Sequence, residues 1–185
     1  SIFTEDFLKD LKKDMIQFKR RGNPPLCTHN LVDAKNNALL NSLLANGLDN
    51  NEQNPVKAII YPVYLDGNDG LINLPYYESM AGCHLGIFPS YYEPWGYTPQ
   101  EAAALGVSSI TSDLAGFGMF MKKHLSKNKK AQGIRVLKRY GRSEEQQVID
   151  LAKMMYDYSE LTHEERVENK LAAKSLVAHA DWENF

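Results

Sequence analysis

His84-Leu85-Gly86-Ile87-Phe88-Pro89-Ser90-Tyr91-Tyr92-Glu93-Pro94-Trp95-Gly96-Tyr97-Thr98-Pro99-Gln100-Glu101 runs on to Leu105, Gly106 and then Val107-Ser108-Ser109-Ile110-Thr111. His84–Pro89 reads as a short apolar strand. Thr98–Leu105 reads as a short helix stopped by Gly106, and Val107–Thr111 as a second, β-branched strand. Strand, loop, helix and strand within about thirty residues make a βαβ unit, which requires parallel pairing. Gly133–Leu137 adds a further strand. The chain is therefore α/β, with a mainly parallel, Rossmann-like sheet.

Working outward, the same rules place the other elements. Thr4 caps a first helix whose apolar stripe is Phe7, Leu8, Leu11, Met15 and Phe18, stopped by Gly22-Asn23-Pro24-Pro25. A second helix is predicted over Ala34–Asn46, with Gly47 just past its end. Asp49–Pro55 is a loop, Val56–Leu65 a largely buried strand, Asp66–Gly70 a loop and Tyr76–Met80 a short helix. Ser143 with Gln146, and Thr162 with Glu165, form capping boxes ahead of two closing helices, the second ending near Ala180.

Composition excludes several classes. The chain has 185 residues, 43% hydrophobic and 24% charged, with net charge −2. That balance supplies no electrostatic drive toward nucleic acid or acidic membranes. No apolar run approaches the ~20 residues that span a bilayer. Ser1–Leu11 is charged and amphipathic, unlike a signal peptide. Cys27 and Cys83 lie far apart, which argues against a disulfide framework and for a reducing compartment. Cys27 and His29 lack metal-ligand spacing and company, so no metal site is inferred. Lys122-Lys123 and the lysines within 127–130 read as a solvated face. With serine first, the chain reads as trimmed or as part of something longer.

The chemistry concentrates in Ser90–Glu101. In open parallel sheets, ligands bind beyond the carboxyl ends of the strands, where this loop lies. Four aromatics, two prolines, a glycine and two carboxylates in its twelve residues suit a sugar or a nucleobase. Taken alone, Thr98-Pro99-Gln100-Glu101 favours a capping box, with Pro99 at the first helical position. The same helix start offers free N–H groups to a phosphate. Gly96 would let a ligand approach the backbone. Glu93 sits before the helix with no capping role, so its carboxylate is either exposed or held for a ligand.

Gly82–Pro99 resembles the signature of the animal and fungal glycogen synthases, glycosyltransferase family 3. Pro24–Asn30 and Ser112–Gly118 resemble two further stretches of that family, and the likeness runs from the first helix to Asp181-Trp182. The resemblance implies a GT-B fold of two Rossmann-like domains. Residues 1–185 would be most of the C-terminal, donor-nucleotide-binding domain, with 162–182 as a regulatory-type helix and the N-terminal domain elsewhere. It implies retaining transfer of glucose from UDP-glucose to the non-reducing end of an α-1,4-glucan, with no metal or other cofactor. A cytoplasmic homo-oligomer, a tetramer in the family, and a glycogenin-type primer are implied as well.

By position, the resemblance makes Glu93 the essential glutamate contacting the donor glucose. Trp95, Gly96 and Thr98 become donor-binding, and Glu101 would hold the ribose hydroxyls. Tyr97, Tyr76 and Tyr64 fall near the nucleotide, although wall packing explains each tyrosine equally well. Retention without an obvious nucleophile implies front-face attack, Glu93 orienting the sugar and stabilising positive charge. The family is activated by glucose 6-phosphate through an arginine-rich helix. Here only His84, Arg166 and Lys170 match the effector positions, Lys170 in place of an arginine. A solvated helix face is favoured for Arg166 and Lys170, so weak or absent activation is expected. The main alternative is an inactive regulatory or scaffolding module of the same fold. A glycosyltransferase of another family, with another donor, is a third reading.

Overall fold

The computed structural model describes residues 4, 6, 9, 22–126 and 131–184. Positions 4, 6 and 9 aside, the helix expected over Thr4–Phe18 falls outside the described residues, as do the lysines of 127–130. The chain divides into two compact units, Ser1–Tyr64 and Leu65–Phe185.

The first unit holds helix α1, Ala38–Ala45. It starts four residues later than its apolar pattern suggested. Asn37 takes the cap position, its side chain accepting the Leu40 N–H at 3.0 Å. Upstream, Asp33 closes a local turn instead, accepting from Asn36. Val56–Leu65 is not a strand. Only Ile60 pairs, in an isolated parallel bridge with Cys27. Asn50, 2% exposed, occupies the place of a neighbouring strand. Its amide accepts from Ala58 N at 2.7 Å and donates to Ala58 O at 2.8 Å. Pro55 and Pro62 lack the N–H groups a ladder would need. Val56 and Ile59 are accordingly exposed rather than buried.

The second unit carries the sheet. Helix α2 (Tyr76–Ala81) precedes strand β1 (Leu85–Ile87). Helix α3 (Tyr97–Ala104), strand β2 (Ser108–Ser112), helix α4 (Gly116–Met121) and strand β3 (Ile134–Leu137) follow. Helices α5 (Glu144–Ser159) and α6 (His163–Val177) close the unit, trailed by two short 3-10 turns. The strands are parallel in the order β1-β2-β3, with Leu85 opposite Ser108 and Ile110 opposite Arg135.

β2 is wholly buried, yet four of its five residues are serine or threonine. Small hydroxyl side chains let the flanking elements approach closely. Ser109 Oγ donates to Pro99 O at 3.2 Å and Ser112 Oγ to Ser90 O at 2.8 Å. Those bonds tie the central strand to α3 and to the loop after β1. On the Ile134 face, Ala103, Phe117, Met121 and Ala173 bring α3, α4 and α6 into one core. Full burial of a side chain the size of Phe117 contributes roughly 2–3 kcal/mol. Strand alternation turns Arg135 to the other face, where its guanidinium lies 5.2 Å from the Tyr158 ring of α5. Helices thus cover both faces of a parallel sheet, the expected α/β, Rossmann-like class.

Both closing helices form, with unequal caps. Thr162 and Glu165 complete their reciprocal box. Ser143 accepts from Gln146 N, but the Gln146 amide turns to Asp150 at 2.8 Å, so that box is half made. Asn169, fully buried on α6, accepts Gly133 N–H and donates to Glu165 O, fixing α6 to the start of β3.

Candidate active site

Three loops leave the carboxyl ends of the three strands, and backbone bonds lace them together. Glu93 N–H donates to Leu114 O at 3.2 Å, and Gly116 N–H donates back to Glu93 O at 3.1 Å. Phe117 N–H then donates to Trp95 O at 2.7 Å. Glu93 and Ala115 form an isolated parallel bridge, so the ladder resumes beyond the sheet. Asp113, 9% exposed, joins the second loop to the third, its Oδ1 accepting from Arg139 N at 2.7 Å and Tyr140 N at 3.1 Å. Lys122 Nζ lies 3.8 Å from its other oxygen.

Arg139 joins the third loop to the first. It is 7% exposed, donates to Gln147 Oε1 at 2.6 Å and to Pro89 O, and lies 3.6 Å from the centroid of Tyr91. Neither Asp113 nor Arg139 stood out in the sequence. The usable signal was position: Asp113 directly follows β2, and Arg139 is two residues past β3.

A hollow of about 250 Å³ opens in the first loop, lined by Phe88, Pro89, Ser90, Glu93, Gly96, Thr98 and Pro99. Glu93 is half-buried. Among the described residues no hydrogen bond or ion pair reaches its carboxylate, while its backbone is held at both N–H and C=O. The only local work its position does is done by the main chain, which leaves the carboxylate for the hollow. A larger cavity, about 540 Å³, lies among β3, α5 and α6 and takes in none of these loop residues. Volume is therefore the poorer guide here; the chemistry converges on the smaller hollow.

Gly96, not Thr98, caps α3. Its φ of +101° is left-handed, and a glycine has no side chain to cap the first turn. Thr98 consequently lies inside the helix, and the capping box expected with Glu101 is absent. Glu101 instead accepts from Tyr76 Oη at 3.2 Å and from Tyr77 Oη at 3.0 Å. Tyr77 was not among the expected site residues; only its place beside Tyr76 on α2 hinted at it. Burial raises the Tyr76 pKa above 10.0, helped by the charge and hydrogen bond of Glu101 and opposed by the Thr98 hydroxyl. The hydrogen bond to Glu101, then its charge, raises that of Tyr77.

The structure separates the remaining expectations. The indole of Trp95 is committed to packing, edge-on to Phe117 at 5.9 Å and tilted on Phe120 at 5.7 Å. Its Nε1 donates to Gln100, so what Trp95 turns toward the loop is backbone. Tyr97 is 62% exposed beside the hollow without lining it. Tyr64 belongs to the first unit and is 94% exposed. His84 is exposed at the entry to β1, the opposite end of that strand from the loop, and its carbonyl accepts from Tyr158 Oη. Arg166 donates to Leu161 O at 2.7 Å; Lys170 is half-buried on α6. Neither lines the hollow. Among the described residues no three His, Cys, Asp or Glu side chains are grouped as metal ligands, and no helix is long and apolar enough to cross a membrane.

The glycogen synthase family model matches residues 1–185. The chain belongs to the glycogen synthase family. It is 38% identical over 175 residues to a glycogen (starch) synthase of Caenorhabditis elegans, covering 95% of this chain and 26% of that protein. It is 36% identical to the human liver glycogen (starch) synthase, over 98% of this chain and 26% of that protein. It is also 36% identical to isoform 2 of Saccharomyces cerevisiae, over 95% of this chain and 25% of that protein. The chain thus spans about a quarter of the length of the relatives it matches. Membership agrees with the parallel sheet and the two-sided helical cover.

The tyrosine–glutamate cluster gives a direct test of the site's electrostatics. A phenol whose pKa is raised on folding holds its proton where the unfolded chain has lost it, so the folded state binds more protons above about pH 10. Stability from the cluster is complete below that pH and declines as pH rises through the folded pKa values. In Glu101→Gln the phenolate absorbance of Tyr76 and Tyr77 should appear at lower pH than in the wild type. Tyr77 should shift more completely, because burial still holds Tyr76. Unchanged titration would remove Glu101 as their partner.

Proposed function

We propose that the chain is the donor-nucleotide half of a retaining glucosyltransferase. The full-length protein would move glucose from UDP-glucose to the non-reducing end of an α-1,4-glucan, as a glycogen synthase. The observation that carries this is an ordered row of groups. It runs from the unpartnered carboxylate of Glu93 through the hollow to Thr98, then to the Tyr76–Tyr77–Glu101 cluster. A hollow of about 250 Å³ suits one sugar ring. The first turn of α3, with Gly96 left-handed before it, offers backbone N–H groups to a diphosphate. Glu101 accepts hydrogen bonds, as a partner for ribose hydroxyls must, and the rings of Tyr76 and Tyr77 flank it.

In this reading Glu93 orients the glucose and stabilises positive charge growing at the anomeric carbon, with no covalent intermediate. The leaving diphosphate removes the acceptor proton on the front face. Gly96 and the main chain of Trp95 bring backbone against the donor, and Tyr97 is a nucleotide contact by resemblance. Glucose 6-phosphate should activate weakly or not at all, since Arg166 already donates to Leu161 O and Lys170 brings a point charge. The homo-oligomer, the glycogenin-type primer and the cytoplasmic setting rest on the resemblance alone.

The test uses the full-length protein with labelled UDP-glucose and glycogen. Label should enter the glucan with retention, and UDP should compete where ADP and GDP do not. No incorporation would favour an inactive module; competition by another diphosphate would change the donor.

A further inference from the structure

Tyr91 stands out on the rim of the site. Its side chain is 68% exposed, only two residues before Glu93. An exposed tyrosine ordinarily samples several rotamers. This one is pinned, because the guanidinium of Arg139 lies 3.6 Å from its ring centroid. Arg139 is itself immobile: it is 7% exposed, bonded to Pro89 O and Gln147 Oε1, and anchored through its own N–H to buried Asp113. One ring face is therefore fixed by a buried cation and the other is open. A contact of this kind on a surface ring adds little to stability, modest against the cost of ordering and burying the arginine. What it achieves is orientation.

We infer that Tyr91, held by Arg139, is a stacking platform for the acceptor glucan. This rests on the glucosyltransferase reading given above. Tyr91 does not line the hollow assigned to the donor sugar, so its ring serves a ligand that extends past that hollow. An α-1,4-glucan chain is such a ligand: its glucose rings carry apolar C–H faces that lie flat on an aromatic face. The ring need not donate or accept a hydrogen bond to do this. A ring fixed before binding also avoids the rotamer entropy that a free side chain would lose on binding.

The experiment uses the full-length protein with Tyr91→Ala, Tyr91→Phe and Arg139→Lys. KM for maltooligosaccharide and KM for UDP-glucose are measured separately. Binding of the oligosaccharide without donor is followed by calorimetry. Tyr91→Ala should raise the acceptor KM about tenfold, the equivalent of ~1.4 kcal/mol, and weaken direct oligosaccharide binding by a similar factor. The donor KM should change less than twofold. Tyr91→Phe should behave as wild type, since the ring remains. Arg139→Lys should fall between, because a lysine cannot stack as a guanidinium does. An active Tyr91→Ala protein with unchanged acceptor KM, or with donor and acceptor KM raised together, would overturn the platform. A wild type that binds oligosaccharide but transfers no glucose would instead remove the glucosyltransferase reading, and the acceptor role with it.

Discussion

In the full-length protein, Glu93→Gln lowers kcat for glucosyl transfer by a factor on the order of 10² to 10³, the range seen when one well-placed electrostatic group is removed from an active site. Affinity for UDP changes by less than about threefold. The asymmetry follows from how Glu93 is held. Its position is set by main-chain bonds to Leu114 and Gly116, which glutamine makes equally well. Its carboxylate has no partner among the described residues, so the amide breaks no ion pair and leaves no stranded donor. Only the negative charge is lost, and that charge matters most when positive charge develops at the anomeric carbon. Steady-state kinetics with a parallel UDP-binding isotherm decide the matter. Equal losses in turnover and UDP affinity would assign Glu93 a structural role, and a trapped glucosyl ester on it would replace front-face attack by covalent catalysis.

The second large effect is on stability. Gly116→Ala should destabilise the fold by about 3 kcal/mol, the upper part of the usual range for overpacking. A Cβ at Gly116 would lie 2.2 Å from Pro94 O and 3.2 Å from Trp95 Cα, both backbone atoms with no rotamer to yield. Relief requires α4 to retreat from the loop, which strains the Gly116–Glu93 and Phe117–Trp95 bonds together. Transfer activity should therefore fall with stability, unlike in Glu93→Gln. Gly82→Ala is the control: its Cβ would meet Ser79 O at 3.5 Å, an ordinary contact, and its φ is −71°. Thermal and denaturant midpoints of the three proteins check this. A Gly116→Ala midpoint matching that of Gly82→Ala would mean that the loop and helix are not closely joined.

The contrast between these two residues bears on how much of the site could be read in the sequence. The βαβ unit was legible because Gly, Pro and β-branched residues punctuate it within a short span. The Thr162–Glu165 box was legible because both partners lie within one turn. Val56–Leu65 misled because its hydrophobicity is that of a strand, while its partner is the side chain of Asn50. Nothing in a periodicity records a side chain standing in for a strand. Thr98 misled for a different reason. Threonine is a good cap, but the left-handed Gly96 had already turned the chain into the helix two residues earlier. That released Glu101 for Tyr76 and Tyr77, a pairing across 25 and 24 residues that local rules do not reach. Asp113 and Arg139 were missed because single charged residues after strands look like solvated ends until the strands are placed side by side.

The parallel bridge between Glu93 and Ala115 has a consequence for how such a site can vary. Surface loops ordinarily tolerate insertions and deletions. This one is tied to the next crossover at both ends, by Phe88 N–H to Ile110 O and Phe117 N–H to Trp95 O, with Glu93 paired to Ala115 between them. Adding or removing a single residue on either side would shift one row against the other and move Glu93 out of its hollow. Diversification here must proceed by exchanging side chains at constant length.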